Sequence, residues 1–160
     1  MPELKILKYP NPLLRKKANP VTKAGPEEER LLSEMARIMY LSKGVGLAAT
    51  QVGIDKRLIV IDIGYGLLKM INPAIAKKSI GCETEEEGCL SVPDTSVKIK
   101  RAKKVTITFL NSGGEARQMT AEGLLARAFQ HEIDHLNGRL IVDYLGPIKR
   151  LVIAHRKRKH

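Results

Sequence analysis

Residues 130–135, QHEIDH, carry the densest group of chemically capable side chains in the chain. Residues four apart share a helix face, so His131 and His135 can grip one metal ion while Glu132 stands beside it. That arrangement suits hydrolysis. A bound divalent ion lowers the pKa of its water to about 7, and an adjacent carboxylate can take the proton and pass it on. The plain alternative, an amphipathic helix with two satisfied histidines, fits the trio less well. Two imidazoles still leave the site short of a ligand.

Spacing tests the known ways to complete it. An extended His-Glu-x-x-His-x-x-Gly-x-x-His pattern matches Gly138 but puts Ile141 where the third histidine should be. A glutamate from a later helix is excluded, because no glutamate follows Glu132, and beyond the motif the only later acid is Asp143. His155 sits among cations that disfavour another positive ion. The ligand must therefore lie upstream, where the soft candidates are Cys82, in SIGCET, and Cys89, in EEEGCLSVP. Cys89 is the stronger, because Gly88 lets the backbone approach closely. A thiolate with two imidazoles leaves one position for water, as in catalytic zinc or iron sites.

The surrounding pattern sets what must position these groups. The 160 residues fit one domain, and the balance of 43% apolar to 28% charged residues is that of a globular chain. No apolar run reaches the ~20 residues needed to cross a bilayer. The start, MPELKILKYPNP, lacks an apolar signal core, and two cysteines are too few for a disulfide scaffold, so a cytoplasmic setting is expected. Residues 1–26 carry five of the eight prolines and read as an extended arm. Residues 26–43 read as a helix with an apolar stripe of Leu31, Met35, Ile38 and Met39. RLIVIDI, 57–63, is a strand, with a second short one near 68–72. SVKIK and VTITFL alternate as strands, NSGG turns, and EARQMTA returns as a hairpin. Residues 121–137 form the helix that carries the motif, with Gly138 as its stop. RLIVDYL reads as a short strand, and Pro147 opens a last short segment. Strands outnumber helices without interleaving, so the expected class is α+β.

The formal net charge is +11, and six of the 28 basic residues crowd the last twelve positions. Removing those six leaves +5, so much of the excess belongs to the tail. Such a tail suits a polyanion, with a solvated, fraying end as the plain alternative. GVGLAA, 44–49, matches a loose dinucleotide pattern, but a helix precedes it and a strand follows, the reverse of what that site needs. Its glycines, Gly46 among them, rather let the loop lie against an extended peptide.

Three stretches in this order, GVGLAATQ (44–51), EGCLS (87–91) and QHEIDHLNG (130–138), resemble the peptide deformylases, and the resemblance runs from near Ile6 to about Arg150. It implies an α+β fold with antiparallel or mixed sheets packed around the HEIDH helix. It implies a catalytic domain over 1–147 and a short basic segment over 148–160. The implied reaction is removal of the formyl group from the N-terminal methionine of new polypeptides. By position, Cys89, His131 and His135 match the metal ligands and Glu132 the acid/base. Gln51 and the Leu90 backbone N–H match the oxyanion donors, and Glu87 with Arg101 an ion pair that steadies the cysteine segment. Val45, Gly46, Gly88, Leu124, Arg127 and Ala128 are expected around the substrate, with the Arg127 stem packed and its head in water. Ser96 stands where some relatives carry an arginine that holds the peptide backbone, and Arg127 where some carry isoleucine. The tail is shorter than in relatives that use a long helix to reach the ribosome. One divalent ion is implied, Fe(II) in the cell, with zinc, nickel or cobalt compatible with the same ligands. The expected partners are N-formyl-methionyl peptides and, through the tail, the ribosome or its RNA, with neither membrane nor DNA. A metallopeptidase with the same core and a basic RNA-binding protein with a structural metal are the competing readings; the second needs a fourth ligand, which only Cys82 could supply.

Overall fold

A computed structural model describes residues 3–159; Met1, Pro2 and His160, the ends of the expected arm and tail, lie outside it. In chain order the elements are α1 (Pro26–Leu41), β1 (Gly46–Ala48), β2 (Leu58–Ile61), β3 (Leu68–Lys78), β4 (Cys82–Cys89), β5 (Val92–Ala102), β6 (Lys104–Leu110), β7 (Ala116–Glu122), α2 (Gly123–Leu136) and α3 (Pro147–Arg158). Short 3-10 turns occupy Pro12–Arg15, Ala49–Val52 and Ile141–Tyr144. Five strands form one antiparallel sheet in the order β1-β2-β3-β6-β7, while β4 and β5 pair as a separate two-stranded hairpin. The class is α+β, as expected.

The residues of β2, LIVI, are all buried because both faces of the large sheet are covered. Ile59 and Ile61 join Phe129, Ile133 and Leu136 of α2. Leu58 and Val60 point the other way, into the cluster with Leu32, Met35 and Met39 of α1. Helix α2 thus rests its apolar face on the sheet and leaves its other face for the histidines. A third cluster, with Leu14, Val97, Ile99 and Val142, fastens the small hairpin.

The proline-rich arm buckles the site-bearing segments together. Leu7 N–H donates to Gln51 O at 2.7 Å, Tyr9 N–H to Ser91 O at 2.7 Å, and Ala18 N–H to Leu136 O at 2.8 Å. Just past α2, Gly138 has φ +78°, and a Cβ there would collide with the Arg15 carbonyl, so the stop requires glycine.

Several expectations are corrected. Residues 141–144 make a 3-10 turn, not a strand: Asp143 accepts from the Leu140 N–H at 2.9 Å and pairs with Arg15, which curls the segment. The run 82–89, not read as a strand, is one, because β5 supplies its ladder. The strand that begins at Leu68 is not short; pairing with β6 carries it on to Lys78. The last segment, which Pro147 opens as expected, is a 12-residue helix that buries Ala154 and joins Lys157 Nζ to the Pro93 carbonyl. No helix among the described residues is long and apolar enough to cross a membrane.

Candidate metal centre

Helix α2 brings His131 and His135 onto one face, their Nε2 atoms 3.1 Å apart. Cys89 ends β4, and its Sγ lies 3.3 Å from His135 Nε2. The three donor atoms all fall within 4.8 Å of one another. Cys82 does not join them. It sits exposed at the other end of β4, paired with Ala102, and His155 is exposed on α3.

The placement of Cys89 comes from the hairpin. Cys89 pairs with Val92, yet Glu87 pairs with Val97, so β5 carries extra residues opposite Gly88. Asp94, with φ +60°, lies in this bulge. Ser96 is on the same stretch, exposed, while beyond it Val97 and Ile99 turn inward and Lys98 and Lys100 alternate outward. Ser96 and the two lysines do not border the cavity beside the histidines.

Glu87 orients the first histidine. Its Oε1 accepts from His131 Nδ1 at 2.9 Å, which leaves Nε2 bare in the neutral ring. Arg101 clasps the same carboxylate through Nε at 2.8 Å and Nη2 at 2.9 Å. Burial alone would push the Glu87 carboxyl up, but the hydrogen bonds from Arg101 and His131 outweigh it and hold the value at about 2. Arg101 continues to Asp134 at 2.7 Å and to the Tyr144 hydroxyl at 2.9 Å, and that hydroxyl donates to Asp134 at 2.6 Å. Sequence reasoning missed Asp134 and Tyr144. Asp134 lies inside the motif, where an acid beside the histidines was a readable signal; nothing local marks Tyr144.

Glu132 is buried, and its Oε2 has no protein partner. Burial pushes this carboxyl up to about 7, against the pull of His131. Burial also disfavours charge on both imidazoles, yet Cys89 and Glu87 raise His131, while His135, facing the His131 charge, is lowered. The two shifts run in opposite directions, so the rings do not readily carry charge together. A thiol, two imidazole nitrogens turned toward each other and an unpartnered buried carboxylate oxygen together fit a three-ligand transition-metal site with room for solvent.

Gln51 lies in the 3-10 turn after β1. Its Oε1 accepts from Ala48 N–H at 2.9 Å, and this fixes which end is the amide nitrogen. Nε2 then donates to Ser91 Oγ at 3.0 Å and lies 3.6 Å from Cys89 Sγ. Ser91, buried, was not anticipated.

A cavity of about 380 Å³ opens above this cluster. Its walls include Val45, Gly46, Gly88, Leu90, Leu124 and Ala128, with Gln51, Cys89, His131 and Glu132 also on its surface. Arg127 lines it too, but its head is held by protein rather than by water. Nη1 donates to Glu87 Oε2 at 2.7 Å and to Ile99 O at 2.8 Å, and Nη2 to Glu83 O at 2.7 Å. Three acceptors fixed on the hairpin outcompete solvent for the guanidinium, and the expected solvated head is corrected accordingly.

Known proteins share this plan. The family described as polypeptide deformylase matches residues 3–151. A peptide deformylase of Halothermothrix orenii is 52% identical over 145 residues, spanning 89% of this chain and 94% of that protein. The crystal structure of a peptide deformylase from Legionella pneumophila superposes with a TM-score of 0.91 at 43% identity, covering 98% of this chain and 94% of that one. That of Ehrlichia chaffeensis, in complex with actinonin, gives a TM-score of 0.94 at 35% identity, covering 99% and 98%. Matching sequence, matching fold and a cysteine–histidine–histidine cluster beside a buried glutamate lead to one conclusion: the chain belongs to the polypeptide deformylase family.

Proposed function

We propose that the protein hydrolyses the formamide at the N-terminal methionine of newly made polypeptides, releasing formate and a free amine. The observation that carries this reading is the convergence of Cys89, His131 and His135 within 4.8 Å at a cavity that Glu132 and Gln51 also line. The three residues would hold one divalent ion, Fe(II) in the cell, with zinc, nickel or cobalt able to replace it. That ion, when bound, supplies Lewis acidity and makes a water a competent nucleophile near neutral pH.

The protein's own groups do the rest. Glu132 takes a proton from the attacking water and returns it to the departing amine; burial, which raises its affinity for a proton, suits it to both duties. Gln51 Nε2 and the Leu90 N–H donate to the oxygen that gains charge as the carbonyl becomes tetrahedral. Leu124, Ala128, Val45 and the methylenes of Arg127 form an apolar wall suited to a thioether side chain. Gly46 and Gly88 let a peptide backbone lie close.

We assign residues 1–147 to the catalytic unit and 148–160 to a basic segment joined to it, in a cytoplasmic setting that keeps the Cys89 thiol reduced. Contact with the ribosome through that segment is supported by the cations along α3, and predicts co-sedimentation with ribosomes that falls steeply with salt.

The deciding experiment measures formate from formyl-Met-Ala-Ser, with and without chelator. Release that stops on chelation and returns with Fe(II), and that actinonin inhibits, supports the reading. Cleavage of internal bonds in unformylated peptides would replace it with the metallopeptidase reading.

A further inference from the structure

Arg127 makes more contacts than a pocket wall requires. It projects from α2 one turn before His131, and all three of its acceptors lie on the small hairpin: Glu83 O and the Glu87 carboxylate on β4, and Ile99 O on β5. Arg101 makes the reverse crossing, from β5 to Asp134 on α2. The two guanidinium groups meet on Glu87. Its Oε2 accepts from Arg101 Nε and Arg127 Nη1, and its Oε1 from Arg101 Nη2 and His131 Nδ1. Together these bonds fill the lone-pair sites of the carboxylate.

This arrangement determines the spacing of the three donors. His131 and His135 belong to α2, whereas Cys89 belongs to the hairpin and follows Glu87 by two residues. The large sheet shares no ladder with the hairpin, so cross-ties between α2 and β4–β5, Gln130 on the Ala102 backbone among them, act with the arm bond from Tyr9 to Ser91 to set how far Sγ stands from the imidazoles. Resting on the metal-centre reading above, we propose that Arg127 is a positioning residue for metal affinity: it locks the cysteine hairpin to the histidine helix and fixes Glu87 against His131. Its stem lines the cavity, but its head works on the hairpin behind the ligands.

Charge alone would act in the opposite direction, so removing Arg127 separates positioning from electrostatics. Arg101 and Arg127 offset Glu87 and Asp134, all four partly or fully buried. Without Arg127 the group carries an extra negative charge beside His131, which by itself favours a cation, so weaker binding would report the cross-ties lost at Glu87, Glu83 O and Ile99 O.

The test strips wild type, Arg127→Leu and Arg127→Lys of metal and titrates each with Co2+ against a competing chelator. A control, Val105→Ala, opens a cavity in β6 away from the site. Arg127→Leu should weaken Co2+ binding by about 10–100-fold, the usual effect of losing a group that orients a ligand, and should diminish the sulfur-to-cobalt absorption band. Arg127→Lys, able to satisfy fewer of the three acceptors, should weaken binding in the same direction and by less. Val105→Ala should bind Co2+ as wild type does at whatever thermal cost. Wild-type affinity and an unchanged band in Arg127→Leu overturn the proposal; should that variant not fold, the same result in Arg127→Lys overturns it. Failure of the wild-type protein to bind Co2+ would instead sink the metal-centre reading itself.

Discussion

His131 Nε2 and His135 Nε2 stand 3.1 Å apart, with the Cys89 sulfur 3.3 Å from the second. With His131 Nδ1 engaged by Glu87, Nε2 is the nitrogen turned toward its neighbour, and it offers a lone pair whenever the ring is neutral. Two lone pairs and a sulfur at this spacing repel unless a proton or a cation lies among them. Chelation should therefore lower the melting temperature. Saturating metal, at 100–1,000 times its dissociation constant, contributes about 3–4 kcal/mol by mass action. Cys89→Ala should abolish most of that metal-dependent shift; an unchanged shift in calorimetry would remove Cys89 from the ligand set.

Gly46 lies directly against the Glu132 side chain in the cavity wall. A Cβ built on Gly46 would lie 2.7 Å from Glu132 Oε1, inside contact distance. Gly46→Ala should push the carboxylate aside without touching a ligand. Displacement of a reacting group by about 1 Å costs on the order of 10²-fold, so turnover should fall by about that much. Metal content by elemental analysis should stay at the wild-type level, and a variant that lost both together would show that the glycine serves the fold instead.

The Glu87 carboxyl is held at about 2 against an ordinary value of 4.5. A depressed folded value means the unfolded chain binds the proton first as pH falls. The stabilisation is complete above the ordinary value and disappears as pH drops toward about 2. The difference corresponds to about 2–3 kcal/mol once residual solvent screening is allowed for. Glu87→Gln should flatten this acid limb in urea melts recorded from about pH 5 to about pH 2. It should also lower stability at neutral pH, because it leaves two buried guanidinium groups short of their counter-ion.

What could be read from the sequence was local. The apolar stripe of α1 and the motif face of α2 follow from a 3.6-residue period, and the β6–β7 hairpin from alternation around NSGG. The candidate ligand set was reachable because spacing removed the downstream competitors and Gly88 favoured Cys89 over Cys82. Non-local partners were harder. CETEEEGC is mostly exposed and becomes a strand only through the β5 ladder, so its own residues carry no strand signal. RLIVDYL has the composition of a strand, but Asp143 turns back on Leu140 and meets Arg15, 128 positions earlier. The head of Arg127 finds Glu87 and Glu83 40 and 44 positions away. Charged groups whose partners are distant in sequence look solvent-bound when read along the chain.

Gln51 serves two roles that a pair of substitutions can separate. Its Oε1 caps the turn by accepting from Ala48 N–H, while Nε2 provides the donor at the cavity. Gln51→Glu keeps an acceptor for Ala48 but replaces the donor with a second carboxylate oxygen. Gln51→Leu removes both functions and also leaves the buried Ala48 N–H unpaired. If Nε2 stabilises the oxyanion, each variant should lose about 10²–10³-fold in kcat, the usual effect of deleting one such donor. Only Gln51→Leu should also lose about 1–3 kcal/mol of stability, the cost of an orphaned buried N–H. Metal content should persist in both, since neither change touches a ligand. A Gln51→Glu protein that turns over formyl-Met-Ala-Ser at the wild-type rate would leave Gln51 as a turn cap and shift the oxyanion role to backbone donors alone.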